Sequence, residues 1–327
     1  MSAPDTESST RLGIVFILVG AFAISVNDVM IKALSGEYPL HQMVFVRSAI
    51  GISFSLIFVQ FEGGWRILKT DKPLWHLSRG LLVVAANMTF YAAVAVLPLA
   101  EATALFFVAP LFITLLSIPL LGEKVGAYRM GAVAIGFGGI VLMMRPWSGD
   151  SGIAAGQWAL LLPVLAALCY ACMQILTRRL GATSKASAMA VYIQGTFLII
   201  SGLFFVVAGD GRFAEGVDSP SLVFLFRAWV WPEQSDIPLF LVLGATAGVI
   251  GYALSQAYRS ADAAVIAPFE YIVLPLAIFW GWSLFGEWPG PQVLAGIALI
   301  VGAGVFVFVR ERIRDRSVAT RRPLRRH

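Results

Sequence analysis

Five charged side chains stand inside long apolar stretches of the sequence, where an ionisable group is costly. They are Asp28, Lys32, Arg47, Arg79 and Glu270. A charge at the centre of a membrane helix costs about 2.5–3.5 kcal/mol on insertion scales, so such groups face a cavity or a partner. Charges of this kind bind polar ligands or relay protons within a membrane. The sequence therefore predicts a polar site surrounded by apolar helices.

Depth along the helices predicts which of these charges meet. At about 1.5 Å per residue, Asp28 lies roughly 9 Å below the end of its helix, and Arg47 roughly 12 Å below the start of the next. Consecutive helices run in opposite directions, so the two depths match and we expect a pair. Lys32 stands one turn beyond Asp28 on the same face and completes a predicted cluster. Two roles stay open for it: a structural lock, or a site for substrate or protons.

A second predicted pair lies toward the opposite ends of the helices. Arg79 is roughly 8 Å and Glu270 roughly 9 Å inside helices that start at the same surface, so we expect them to meet. Pro268 and Pro275 flank Glu270 and Tyr271, and a broken helix exposes carbonyls that can serve a ligand. This pair too is either structural or functional. Further candidates for a cavity lining are Asn87, Tyr91, Gln174, Tyr252 and Tyr271.

The composition places these charges in a membrane. The chain has 327 residues, of which 58% are hydrophobic and 13% are charged, whereas soluble domains carry about 25% charged residues. A soluble enzyme, a disordered regulator and a nucleic-acid-binding domain therefore fit poorly. Crossing a bilayer as a helix takes about 20 mostly apolar residues. The segments that meet this requirement are 12–34, 39–60, 74–97, 102–121, 128–144, 156–177, 186–207, 238–260, 264–285 and 291–309.

The distribution of basic residues predicts the orientation. With the N-terminus in the cytoplasm, 19 Lys and Arg residues fall on the cytoplasmic side and 3 on the outer side. Basic residues are enriched in cytoplasmic loops, so we expect both termini in the cytoplasm and the protein in the cell inner membrane. Residues 208–237, the acidic loop, are then outside. Residues 310–327 carry eight arginines and form a predicted cytoplasmic tail.

The two halves of the sequence repeat one another. The fourth and ninth segments both run into a Gly-Glu pair, and the pairs Gly122–Glu123 and Gly286–Glu287 stand 164 residues apart. Near the ends of the first and sixth segments, Lys32 and Arg178 stand 146 residues apart. Five helices per half is an odd number, so the halves insert upside down relative to each other. Inverted repeats with a site between them are typical of alternating-access carriers.

Ten segments in two halves, each with a proline-containing segment that runs into Gly-Glu, resemble the EamA branch of the drug/metabolite transporter superfamily. The resemblance covers residues 12–309 and implies transport of a small metabolite. Four segments are similar to S-adenosylmethionine uptake carriers of that superfamily, namely Asn27–Lys32, Phe45–Arg47, His76–Gly80 and Ala261–Tyr271. Glu270 differs from the basic residue that this resemblance leads us to expect there.

Motifs that suggest other functions are set aside. Gly149–Gly152 matches a GxSG protease pattern, but Ser151 lies in a predicted loop and the chain has only three histidines to act as a base. Cys169 and Cys172 lie in an apolar segment without other metal ligands, which is typical of core residues. The sequence contains no G-x-x-x-x-G-K-[ST] nucleotide-binding motif. We therefore expect no catalytic residue, metal or cofactor.

The sequence as a whole predicts an all-α integral membrane protein with ten transmembrane helices in two inverted five-helix repeats. Residues 1–11 form a cytoplasmic segment, 12–144 and 156–309 the EamA-like repeats, and 310–327 the tail. We expect secondary transport of a small polar metabolite, amino-acid-like or S-adenosylmethionine-like. A metabolite or drug exporter and a membrane-embedded enzyme are the alternatives. The predicted partners are this substrate and the lipid bilayer, without nucleic acid; coupling protons and a homodimer stay open.

Cysteine labelling tests this orientation. In a variant whose two native cysteines are replaced by alanine, Glu215→Cys should react with a membrane-impermeant thiol reagent added outside intact cells. Arg316→Cys, in the tail, should react only after the membrane is permeabilised. Labelling of position 215 from the cytoplasmic side alone would contradict the ten-helix topology.

Overall fold

The protein is described by a computed structural model that covers residues 3–123, 125–147, 157–180, 186–260 and 263–321. The helices of the first half are α1 (Ala3–Leu34), α2 (Leu40–Glu62), α3 (Pro73–Val94), α4 (Leu99–Phe106), α5 (Ala109–Leu121) and α6 (Ala127–Met144). Those of the second half are α7 (Leu161–Leu180), α8 (Ala186–Ala208), α9 (Pro220–Phe226), α10 (Ile237–Ser260), α11 (Ala263–Glu270), α12 (Val273–Phe285) and α13 (Pro291–Arg321).

The structure confirms an all-α fold with ten spans in two inverted repeats. Ten stretches of the described residues are long and apolar enough to cross a membrane, and they follow the predicted order. The fourth span consists of α4 and α5, and the ninth consists of α11 and α12. Helix α9 is short and lies in the acidic loop, between the seventh and eighth spans.

The repeated Gly-Glu pairs end the fourth and ninth spans in the same way. Gly122 and Gly286 take left-handed conformations with φ of 70° and 67°, which glycine adopts without a steric penalty. The backbone N–H of Glu123 donates to the carbonyl of Ser117 at 3.2 Å, and that of Glu287 to the carbonyl of Gly281 at 2.9 Å. The N–H of Gly122 also donates to the carbonyl of Ile118 at 3.1 Å, and that of Gly286 to the carbonyl of Trp282 at 3.2 Å, which is the bond of the αL helix cap. The pairs therefore serve as matching helix caps.

Packing between helices follows the inverted repeat. Helix α1 lies along α10, and α7 lies along α3. The repeat relates α1, the first span, to α7, the sixth, and it relates α3, the third span, to α10, the eighth. The α1–α10 contact is therefore equivalent to the α7–α3 contact. Helix α2 packs on α8, and α6 packs on α13, each on its own repeat counterpart. All four contacts join one half to the other, so neither repeat folds as a separate body.

Two glycines allow α6 and α13 to approach closely. A Cβ on Gly139 would lie 3.0 Å from the carbonyl oxygen of Gly296, and a Cβ on Gly296 would lie 3.0 Å from that of Gly139. Small residues at such contacts let membrane helices pack backbone to backbone. This contact joins the last spans of the two repeats.

The acidic loop folds back onto the first half. The Tyr38 hydroxyl donates to Oδ2 of Asp236 at 2.7 Å and accepts from the backbone N–H of Glu233 at 3.0 Å. Nε2 of Gln42 donates to the carbonyl of Val230 at 2.6 Å, and Oε1 of Gln42 accepts from the backbone N–H of Val230 at 3.2 Å. These bonds fix the loop over the corner between α1 and α2. We call the end of the bundle that carries the acidic loop the loop end, and the opposite end the terminus end.

Some predicted features differ or lie outside the described residues. The tenth span ends at Arg310, one residue from the predicted end, but helix α13 continues beyond it to Arg321. The guanidinium of Arg310 lies 4.5 Å from the ring centroid of Tyr128, so the start of the tail contacts α6. The Gly149–Gly152 motif, the Ala261–Asp262 step and residues 322–327 are not within the described residues.

Substitution of Gly139 tests the α6–α13 contact. Gly139→Ala pushes a methyl group against a backbone carbonyl, and overpacking of this kind destabilises by about 1–3 kcal/mol. The adjacent Gly138→Ala is the control, because a Cβ there meets no atom within 4 Å. We expect thermal unfolding in detergent to shift down for Gly139→Ala and to stay unchanged or rise for Gly138→Ala. Equal midpoints would contradict the close approach.

Candidate functional site

A network of polar side chains lies within the apolar bundle, below its loop end. It consists of Asn27 and Asp28 on α1, Arg47 on α2, and Asn87 and Tyr91 on α3, and we call these residues the central cluster. All but Asn87 are buried. The cluster therefore brings three helices together around polar groups that water does not reach.

Tyr91 connects the acidic member of the central cluster to its neighbour on α1. Its hydroxyl lies 2.9 Å from Oδ1 of Asp28 and 3.0 Å from Oδ1 of Asn27. A hydroxyl has one proton to donate, so these two acceptors compete for it. The Tyr91 ring also lies 5.6 Å from the guanidinium of Arg47.

Arg47 is the basic member of the central cluster. Its Nη1 donates to Oδ1 of Asn27 at 3.2 Å, and its Nη2 donates to Oδ1 of Asn87 at 2.9 Å. The ring of Phe197, on α8, lies 5.2 Å from the guanidinium carbon, a distance at which a cation is attracted to a ring face. The buried Nε has no hydrogen-bond partner among the described residues. Arg47 therefore keeps one N–H available.

The central cluster also contacts the second half of the protein. Nδ2 of Asn27 donates to the carbonyl of Leu243 at 3.2 Å and to the hydroxyl of Thr246 at 3.1 Å, both on α10. Two residues before Asn27, the hydroxyl of Ser25 accepts from Nε1 of Trp280 on α12 at 3.2 Å. The site thus lies at the boundary between the repeats.

Lys32 binds a different carboxylate from the one that the sequence predicts. Its Nζ lies 2.7 Å from Oε1 of Glu287 and donates to the carbonyl of Leu97 at 2.6 Å. Oε2 of Glu287 accepts from the backbone N–H of Leu99 at 3.0 Å. The expectation that Lys32 shares one cluster with Asp28 and Arg47 is therefore not met, because Glu287 reaches it from the end of the ninth span. We call Lys32 and Glu287 the loop-end pair.

The fourth and ninth spans are both broken at equivalent places. Helix α4 ends at Phe106 and α5 begins at Ala109, while α11 ends at Glu270 and α12 begins at Val273. The two breaks are 164 residues apart, the offset of the Gly-Glu pairs. The sequence predicts the second break, between Pro268 and Pro275, but not the first. Pro110, near the start of α5, is the signal that could have indicated it.

The two breaks meet through aromatic rings. The ring centroids of Phe107 and Tyr271 are 5.0 Å apart. The rings of Phe106 and Tyr170 are 5.5 Å apart, and the hydroxyl of Tyr170 accepts from Nε2 of Gln174 at 3.1 Å. Discontinuous helices at the boundary between inverted repeats are where carriers of this architecture bind substrate. The aromatic rings therefore surround a place of functional interest.

Glu270 stands beside the second break. It interacts electrostatically with the tyrosines Tyr170 and Tyr271. Arg79 is buried near the terminus end of α3, where it interacts with His76, and its Nε has no hydrogen-bond partner among the described residues. The pairing of Arg79 with Glu270 stays a prediction.

The structure thus assigns five of the six candidate residues to three places, and Arg79 lies apart from them near the terminus end of α3. Asp28 and Arg47 belong to the central cluster, Lys32 to the loop-end pair, and Glu270 and Tyr271 to the second break. In the described residues Asp28 and Arg47 are connected through Tyr91 and Asn27 rather than by a direct ion pair. Asn27 and Glu287 were not among the predicted site residues, although both lie in motifs that the sequence singles out.

Known proteins resemble this chain over nearly its whole length. The sequence model of the EamA-like transporter family matches residues 11–145. The chain is 30% identical over 314 residues to the riboflavin transporter of Rhizobium johnstonii, with coverage of 95% of this chain and 96% of that protein. It is 26% identical over 300 residues to the S-adenosylmethionine uptake transporter of Rickettsia prowazekii, with coverage of 92% and 93%.

A solved crystal structure has the same fold. It superposes with a TM-score of 0.61 at 20% sequence identity and covers 93% of this chain and 99% of that one. Ten spans, two inverted repeats and full-length similarity to curated transporters lead to one conclusion. This chain is a membrane transporter that belongs to the EamA-like transporter family.

Proposed function

We propose that this transporter is a secondary carrier that moves a small polar metabolite across the cell inner membrane by alternating access. The observation that carries the proposal is the central cluster, a buried network with an acidic and a basic group at the boundary between the repeats. Inverted repeats with discontinuous helices are the arrangement in which such carriers bind their substrates. The distribution of basic residues supports cytoplasmic termini.

Asp28 and Arg47 are the groups that we expect to contact the substrate directly. Asp28 accepts a bond from Tyr91, and a carboxylate has further lone pairs for substrate donors. A buried donor without a partner is unfavourable by about 1–3 kcal/mol, and the Nε of Arg47 is such a donor among the described residues. A substrate acceptor beside this atom would remove that penalty. One acidic and one basic group together suit a neutral or zwitterionic molecule.

Aromatic rings beside the central cluster suit a planar group on the substrate. Ring contacts run from Tyr91 through Phe90 and Phe106 to Tyr170, with centroid separations of 5.3, 5.2 and 5.5 Å. Riboflavin and S-adenosylmethionine, the compounds in the names of the two relatives, each join a planar heteroaromatic ring to a flexible polar chain. We therefore propose a substrate of this type, with its ring among the aromatic side chains and its polar chain at the central cluster.

Glu270 and Tyr271 are the second part of the proposed path. A carboxylate beside a helix break can bind a cationic substrate group or carry a coupling proton. Arg79, buried toward the terminus end with an unpartnered Nε among the described residues, is the candidate for an anionic group on that side. The assignment of Glu270 rests on its position beside the second break, and that of Arg79 on its burial.

Neutralising Arg47 tests whether the central cluster binds substrate. Purified wild-type protein in proteoliposomes should take up radiolabelled riboflavin or S-adenosylmethionine with saturation. Arg47→Gln removes charge-assisted bonds worth about 1.5–3 kcal/mol, which corresponds to a loss of affinity of roughly 10- to 150-fold. Arg66→Gln, at an exposed arginine, is the matched control and should transport normally.

The folding of the same variants separates a substrate site from a structural lock. If the cluster only locks the fold, Asp28→Asn and Arg47→Gln should each unfold at lower temperature, and the double variant should recover both stability and transport. Wild-type affinity in folded Arg47→Gln protein would remove Arg47 from the site.

Neutralising Glu270 tests its proposed role in the path. Glu270→Gln keeps the size of the side chain but removes the charge and the titration. If Glu270 binds a cationic group, we expect binding to weaken; if it carries the proton, binding and exchange should persist while uptake against a gradient is lost. Glu37→Gln, an exposed carboxylate at the loop end, is the control. Wild-type binding, exchange and uptake in Glu270→Gln would exclude both roles.

A further inference from the structure

The loop-end pair holds together three segments from both repeats. Lys32 stands in the last turn of α1, and Glu287 directly follows the cap of α12. Lys32 donates to the carbonyl of Leu97, and Glu287 accepts from the N–H of Leu99, so the pair also fixes the turn that leads into α4. The pair therefore closes the bundle where the first, fourth and ninth spans meet.

The pair lies directly above the proposed substrate site. Lys32 is four residues beyond Asp28, which places it one helical turn nearer the loop end on the same face of α1. The side chains of Lys32 and Glu287 are 10% and 25% exposed. The pair therefore lies between the central cluster and the loop end along α1.

A third charge gives Lys32 an alternative partner. Glu101, in the first turn of α4, interacts electrostatically with Arg145, Glu287 and Lys32. Because Glu101 belongs to α4 and Glu287 to the end of the ninth span, Lys32 can stay beside a carboxylate when those two segments separate. Opening of the junction therefore does not require an isolated lysine in an apolar surrounding.

The repeat provides a counterpart of the pair at the opposite end. The offset of 164 residues relates Glu287 to Glu123, which follows the same type of helix cap, and the offset of 146 relates Lys32 to Arg178. Arg178 stands near the end of α7, as Lys32 stands near the end of α1. Because the repeats are inverted, these counterparts belong to the terminus end.

We propose that Lys32 and Glu287 are the gate of the loop end, and that Arg178 and Glu123 are the gate of the terminus end in the alternate conformation. This inference rests on the proposed transport function and names residues that act in its cycle. Each ion pair forms only when its own end of the bundle is closed and the opposite end is open, so the two pairs do not form at the same time. Substrate in the central cluster is then exposed to one side of the membrane at a time.

Access to a residue below the pair tests the gate without a substrate. Thr103 on α4 is 2% exposed and lies one turn further into the membrane than Leu99. In protein with Cys169→Ala and Cys172→Ala, a Thr103→Cys thiol should react slowly with a charged methanethiosulfonate reagent added from the loop side. A closed gate leaves the open state at about 0.1–10% of the population.

Removal of both gate charges should open this access. The double variant Lys32→Met with Glu287→Gln leaves no unpaired charge, and we expect the labelling rate at position 103 to rise at least about tenfold, as a minor state becomes a major one. The exchanged variant Lys32→Glu with Glu287→Lys should restore slow labelling. Arg212→Gln breaks an exposed ion pair with Asp210 at the same end and is the matched control, with no expected effect.

The outcome of the labelling experiment is independent of transport. Unchanged labelling in the folded, monodisperse double variant would overturn the gate, even if the proteoliposomes transport normally. Fast labelling in the double variant would support the gate. If the wild-type protein at the same time transports none of the tested metabolites, that result would count against the proposed function and not against the gate.

A cross-linking experiment tests the alternation of the two gates. Cysteines at positions 32 and 287, or at 123 and 178, are joined with a bis-methanethiosulfonate reagent in the same cysteine-free background. We expect each cross-link alone to stop uptake. We also expect the cross-link between positions 32 and 287 to reduce the yield of the cross-link between positions 123 and 178 by about tenfold or more, because the two closed gates belong to opposite states. Full cross-linking of both pairs in one molecule would contradict the alternation.

Discussion

A charged side chain in the hydrocarbon of a membrane is stable only beside a partner, and the hydrogen bonds among the first three spans follow from that constraint. Asp28 and Arg47 cannot stay isolated, so side chains of α1, α2 and α3 meet in the central cluster, where Tyr91 donates to the carboxylate and the asparagines accept from the guanidinium. The same constraint draws Lys32 to Glu287. In the proposed transport cycle each partnership joins segments that separate or slide, so the groups that stabilise the fold are also placed to respond to a polar ligand.

The inverted repeat distributes these groups over both sides of the membrane. It produces two matching helix caps at Gly122 and Gly286, two broken spans, and contacts in which every major helix pair joins one half to the other. Because each contact at one end of the bundle has a counterpart at the other, the proposed alternating access is an exchange between two related packings of the same helices.

The sequence predicts the spans and one helix break because those features are local, and it predicts the repeat because matching motifs recur in both halves. Apolar length and proline positions determine the spans and the break, as at Pro268 and Pro275 around the second break. Depth counting also predicts that Asp28 and Arg47 lie near each other. It does not predict the partner of Lys32, since Glu287 is 255 residues away and depth says nothing about direction around the bundle. The expected pair of Arg79 with Glu270 rests on depth counting alone and stays a prediction.

Counterflow in proteoliposomes tests the central claim most directly. Vesicles loaded with unlabelled riboflavin or S-adenosylmethionine are diluted into buffer with a trace of the same compound in labelled form. A carrier whose central site faces one side at a time releases unlabelled substrate outside and returns to the inside with labelled substrate. The label inside the vesicles should therefore transiently accumulate above its equilibrium level. Labelled compound that enters only up to equilibrium, at a rate independent of the internal load, would contradict alternating access through the central cluster.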